Sequence, residues 1–161
     1  MKAEFNLAAT GAVAIVALDQ TTKFLALERL FEGDPVPVVK GFFSLTLVRN
    51  KGLAFGMLGA MPAEWRWVVA LLSLAALTVL AVIGVRLLPT GGPFAKVALG
   101  LVFGGAVGNL IDRWRFGAVV DFLDFYWRGY HWPAFNVADS AITVGVALLA
   151  LRMLVVPASR T

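Results

Sequence analysis

The stretch from Val68 to Val85 contains no charged residue, with Trp65, Arg66 and Trp67 just before it and Arg86 just after it. A bilayer's hydrocarbon core is about 30 Å thick and takes about 20 mostly apolar helical residues to cross, with Trp and Arg favoured at its boundaries. This stretch therefore predicts a transmembrane helix, and the rest of the chain must accommodate one. The composition agrees: 60% of residues are hydrophobic and 15% charged, against about 45–50% and 25% in soluble domains.

Three further stretches fit the same requirement. Val97 to Ile111 has Asn109 as its one strongly polar residue and is extended by Lys96 and by Asp112-Arg113. Leu7 to Leu27 is interrupted by Asp19, Gln20 and Lys23, and Asn136 to Val156 carries Asp139 near its start. The N-terminal stretch also has the form of a signal peptide, with Lys2 before an apolar run, but no small-x-small cleavage site follows at a sensible distance. We expect an all-α polytopic membrane fold, one membrane-embedded domain over residues 1–161 with spans at about 7–27, 66–88, 96–115 and 136–156.

The connections at about 28–64 and 116–134 then share one face of the bilayer. In the first, Ser44 and Thr46 alternate with Leu45 and Leu47 between Gly41 and Gly52, a short strand signal that predicts a small β-rich extramembrane segment. The second holds Phe122, Phe125, Tyr126, Trp127, Tyr130 and Trp132, the make-up of an aromatic segment lying in the membrane interface. The opposite face has only the turn from Leu87 to Ala95, with its prolines and glycines. Lys and Arg are not separated well enough between the two sides to orient the chain.

Several function classes drop out. The net charge is +4, yet the basic residues are scattered singly among apolar runs, so no nucleic-acid partner is expected. Without cysteine there is no disulfide, thiolate metal site or cysteine nucleophile, and one histidine, His131, is too few for most zinc sites. Ser140 lacks a nucleophile-elbow pattern and no H-E-x-x-H motif occurs. No metal or organic cofactor is expected.

Because successive spans reverse direction, Asp19, Asn109, Asp112, Asp121, Asn136 and Asp139 fall near one face. A charge at the bilayer centre costs about 2.5–3.5 kcal/mol on insertion scales, so such residues are functional candidates. Spacing supplies partners for some: Lys23 lies four residues after Asp19, Arg115 three after Asp112, and Arg128 four after Asp124 if that segment is helical. Asp121 and Asp139 have no basic residue three or four positions away. Each has an ordinary alternative, Asp121 as a solvated surface carboxylate and Asp139 as the acid of a capping box begun by Asn136. Together they also suit a proton-sharing dyad, in which one carboxylate activates water and the other protonates a leaving amine. Glycines 100, 104 and 108 form a small-xxx-small stripe for close helix packing.

The motifs LDQTTK (Leu18–Lys23), NKGLAFG (Asn50–Gly56), GGAVGNLIDR (Gly104–Arg113), VVDF (Val119–Phe122) and FNVADSAI (Phe135–Ile142) run in that order along nearly the whole chain. Together they resemble the bacterial lipoprotein signal peptidases, or signal peptidase II. The resemblance implies a four-helix aspartic endopeptidase of the bacterial inner membrane, with cytoplasmic termini and its site near the extracytoplasmic face. Its substrate would be a lipid-modified prolipoprotein, cut just before the diacylglyceryl-modified cysteine, with membrane lipids as its surroundings and a monomer as the working form. By motif, Asp121 and Asp139 would be the catalytic dyad, and Asp19, Lys23, Asn50, Gly52, Asn109, Asp112, Arg113 and Asn136 would support it or bind substrate. Lys51 and Leu53 stand where the family's motif is variable or often smaller, which bears on substrate fit.

Intramembrane carboxylates also serve as proton relays, so a proton-coupled transporter is the main rival, distinguished by transport without peptide cleavage. A noncatalytic assembly subunit would tolerate loss of either aspartate.

Overall fold

The computed structural model describes residues 2–52, 66–87 and 92–155. Leu53 to Gly56 of the second motif, the tryptophan at 65, and turn residues 88–91 lie outside the described residues. The elements in chain order are α1 (Lys2–Arg29), β1 (Val36–Val39), β2 (Phe43–Asn50), α2 (Arg66–Leu87), α3 (Gly92–Phe116), β3 (Val119–Trp127), β4 (Tyr130–His131) and α4 (Val137–Val155).

The third helix packs between α1 and α4, with α2 against it as well. Its glycines make this possible. A Cβ on Gly104 would lie 2.7 Å from the Ala12 carbonyl oxygen of α1, closer than side-chain carbons come, so only glycine lets the two backbones approach. The Gly100 position faces Ala8 in the same way, and the stripe is a packing seam. The helix ends at Gly117, whose N–H bonds the Arg113 carbonyl at 3.0 Å and whose φ of 67° suits glycine at a helix C-terminus.

Polarity is distributed inside out. Asp19, Lys23 and Asp112 are buried, while Val13, Phe24, Leu71, Val79, Phe94, Val97, Val144 and Leu154 face outward from the four helices. In apolar surroundings ionisable side chains turn to the interior of a helix bundle and pair there, as these do. Among the described residues, one helix, Gly92–Phe116, is long and apolar enough to cross a membrane by length and composition.

The two connections that the sequence treats separately join in one antiparallel sheet, in order β1-β2-β3-β4. The segment expected to lie as an aromatic interfacial stretch is largely β3, rich in β-branched and aromatic residues that favour strands. It pairs along β2 with Asn50 opposite Val119 and Val48 opposite Asp121, and the register shifts between Leu45 and Val48. Ala26 of α1 and Leu30 just after it pack with Leu47, Val120 and Phe122 beneath the sheet. Phe135 then bonds back to β3, its carbonyl accepting from the N–H groups of Phe122 and Leu123 at 3.0 and 2.9 Å. That docking carries the chain directly into the first turn of α4.

Candidate active site

Three helix ends and one strand meet in a buried polar cluster. On α1, Asp19 and Lys23 pair at 2.9 Å, as their spacing predicts. Lys23 Nζ also reaches Asp112 Oδ2 on α3 at 2.8 Å and donates to Asn109 Oδ1 at 2.9 Å. The expected pairing of Asp112 with Arg115 does not form. Arg115 is exposed and reaches Gln20 Oε1, while Asp112 turns inward to Lys23, to Gln20 Nε2 at 3.0 Å and to the Val120 N–H at 3.0 Å. Asp124 differs too. Its segment is extended rather than helical, so Arg128 is out of reach and His131 Nδ1 lies 2.9 Å away instead, with the Ser44 hydroxyl donating from β2 at 3.1 Å. His131 thus ties β4 back to Asp124 of β3.

Lys23 fixes the orientation of Asn109. An ammonium only donates, so the amide oxygen must face it and the amide nitrogen must face away. That nitrogen donates to Asp139 Oδ1 at 2.8 Å. Asn136 lies across the cluster: its Nδ2 is 2.7 Å from Asp121 Oδ1 and 3.2 Å from both Asn109 Oδ1 and the Val120 carbonyl. Its backbone N–H donates to Asp139 Oδ2 at 3.3 Å, and its Oδ1 accepts from the Asp139 N–H at 2.9 Å. This is a reciprocal capping box, with Asn136 as N-cap. The capping role of Asp139 and its nearness to Asp121 therefore coexist in one geometry. Asp19 Oδ1 accepts the next free N–H of the same helix end, that of Ala138, at 2.9 Å.

On the sheet side, Asn50 Nδ2 donates to Asp121 Oδ2 at 3.0 Å and its Oδ1 accepts from the Gly52 N–H at 3.0 Å. Arg113 Nη2 donates to the Gly52 carbonyl at 3.1 Å. Every site residue singled out from the sequence is therefore in one connected network. Gln20 was not singled out, although it sits inside the first motif; it bridges Asp112 and the Gly108 carbonyl.

The electrostatics separate the carboxylates. Asp19 and Asp112 share Lys23, whereas neither Asp121 nor Asp139 forms an ion pair among the described residues. Asp121 is buried and Asp139 half-buried. Burial first, then the negative charge of Asp139, pushes the Asp121 carboxyl up to about 7, against the opposing donors Asn50 and Asn136 and the more distant Lys23. Two carboxylates bridged by one asparagine, one of them able to keep a proton near neutral pH, can take a proton from water and deliver another. No group of three or more His, Cys, Asp or Glu among the described residues is placed to share a metal ion.

The family profile for signal peptidase (SPase) II matches residues 11–155. A lipoprotein signal peptidase of Geobacter metallireducens is 47% identical over 154 residues, covering 96% of this chain and 94% of that protein. One from Geobacter sulfurreducens is likewise 47% identical, over 96% of this chain and 95% of that one. Among solved structures, a bacterial membrane enzyme determined by the in meso method at 2.3 Å resolution superposes with a TM-score of 0.73 at 35% identity, over 91% of this chain and 87% of the other.

Proposed function

The chain belongs to the signal peptidase II family, proteases that remove signal peptides from lipoproteins, and we propose that Asp121 and Asp139 are its catalytic pair. The supporting observation is the bridge through Asn136, which bonds both carboxylates, while neither forms an ion pair among the described residues. A water between the two would lose a proton to Asp139, the more accessible carboxylate, as its oxygen attacks the scissile carbonyl carbon. Asp121, protonated, would then give its proton to the departing amide nitrogen as the C–N bond breaks. Transfer of the proton from Asp139 back to Asp121 restores the starting state.

The remaining residues position this pair. Lys23 offsets Asp19 and Asp112 and orients Asn109; Asn109, Asn136 and Asn50 hold the carboxylate oxygens with neutral donors; Arg113 and Gly52 hold the chain beside Asn50. The bond cut would be the one just before a diacylglyceryl-modified cysteine. We place the enzyme in the bacterial inner membrane with spans at about 7–27, 66–88, 96–115 and 136–156, termini cytoplasmic, site at the extracytoplasmic face, acting as a monomer. The outward apolar side chains of the four helices support that placement. An apolar signal helix and acyl chains can then stay in lipid while only the scissile bond meets water.

The test is the mass of a lipid-modified prolipoprotein after incubation with purified protein. Asp121→Asn and Asp139→Asn should each lower turnover by about 10²- to 10⁴-fold while inserting into membranes normally. Turnover retained by either variant would exclude the pair.

A further inference from the structure

The sheet has two chemically different ends. One carries Asp121 and Asn50; at the other, six residues and about 20 Å further along β3, the β1–β2 turn and the β3–β4 hairpin lock together. The Tyr126 N–H bonds the Phe42 carbonyl at 2.9 Å, and the Tyr126 hydroxyl accepts the Gly41 N–H at 3.2 Å. The hairpin closes with Trp127 opposite Tyr130 around Arg128 and Gly129, both at positive φ, as a two-residue hairpin turn requires. The Tyr126 ring stacks on His131 with centroids 5.0 Å apart, and the Trp132 N–H bonds the Phe125 carbonyl at 2.8 Å. These contacts tie the two turns into one surface.

Its surface is aromatic and basic. Phe42, Trp127, Tyr130 and Trp132 are exposed, Tyr130 by 83%. Lys40 and Arg128 are exposed beside them, and residues 38–43 and 126–132 contain no acidic side chain. The nearest carboxylate in β3, Asp124, is buried and already taken by Ser44 and His131. Rings with one apolar and one polar edge seat at the headgroup level of a bilayer, a guanidinium matches phosphate oxygens in pairs, and basic residues near the surface are drawn to anionic lipid.

We propose that this end of the sheet binds the phosphate of an anionic phospholipid, with Lys40 and Arg128 on the phosphate and the four aromatic side chains against the glycerol and upper acyl region. The proposal rests on the membrane placement given above. By fixing one end of the sheet to the lipid surface, it sets the height at which the other end presents Asp121.

The full-length protein, reconstituted in phosphatidylcholine vesicles, is titrated with brominated phosphatidylglycerol or brominated phosphatidylcholine while tryptophan fluorescence is followed. With about fivefold from each basic residue, the wild type should favour the anionic quencher by about 25-fold. K40Q/R128Q should bring the two quenching curves together, and W127F/W132F should remove the selective component of the signal. Coincident curves in the wild type, or selectivity surviving in K40Q/R128Q, would overturn the proposal while leaving the membrane placement intact. Selectivity unchanged but a raised KM for prolipoprotein in K40Q/R128Q would assign the surface to substrate instead. No quenching by either lipid would overturn the membrane placement and the proposal with it.

Discussion

Replacing Asn50 by alanine should move the alkaline limb of the pH–rate profile upward. Asn50 Nδ2 donates to Asp121 Oδ2 at 3.0 Å, while the other Asp121 oxygen is served by Asn136. A hydrogen bond to a charged group is worth about 1.5–3 kcal/mol, and one pKa unit corresponds to about 1.4 kcal/mol, so the donor accounts for about one to two units. Its sign follows from what it stabilises. The amide N–H favours the ionised carboxylate, so losing it makes ionisation harder. Burial and the charge of Asp139 already push the Asp121 carboxyl up to about 7; without Asn50 it should rise further. In the role proposed for it Asp121 must carry a proton to deliver it, so kcat/KM should persist to higher pH by about one to two units, with the acid limb in place. Loss of the acceptor for the Gly52 N–H lowers activity at every pH, so the position of the limb, and not its height, is the diagnostic. The assay is cleavage of a lipid-modified prolipoprotein, followed by mass, from about pH 5 to 10. An alkaline limb that stays put or moves down refutes the role given to Asp121.

Lys23→Met should strand Asp19 and Asp112 without a cation and release Asn109 from its orientation. Breaking a buried pair costs about 3–5 kcal/mol, so the thermal-unfolding midpoint in detergent should fall steeply along with turnover, and wild-type values for both would refute the account. Gly108→Ala places a Cβ against the Asp19 carboxylate, an overpacking of about 1–3 kcal/mol. Since that carboxylate caps α4, kcat should fall more than KM rises, and an unchanged kcat would count against the coupling.

The parts of the site legible in the sequence are those where both partners lie on one helix turn. Asp19 with Lys23 and Asn136 with Asp139 follow from spacing, and the absence of such a neighbour singled out Asp121 and Asp139. That same bookkeeping misassigned Asp112, because Lys23 arrives from another helix, 89 positions earlier by numbering. It misassigned Asp124 because a four-residue spacing means proximity only in a helix, and the chain there is extended. Strand β3 itself was hidden: Val119, Val120, Asp121 and Phe122 are all buried, so the alternation that marks a half-exposed strand is missing. Its aromatic content read as an interface segment. Nothing local signals its pairing with β2, about seventy residues away.

One bond reaches from the first helix to the last: Asp19 Oδ1 to the Ala138 N–H, 119 positions apart. A growing chain emerges from its N-terminus, so Asp19 is made long before the residue it caps. Until α4 arrives, the first helix holds an incomplete socket, Asn136 is absent, and Asp121 lacks its neighbour. With Asp121 and Asp139 as the proposed pair, the protease would be inert throughout its own synthesis and become competent only when its last helix docks, a delay written into the order of the chain.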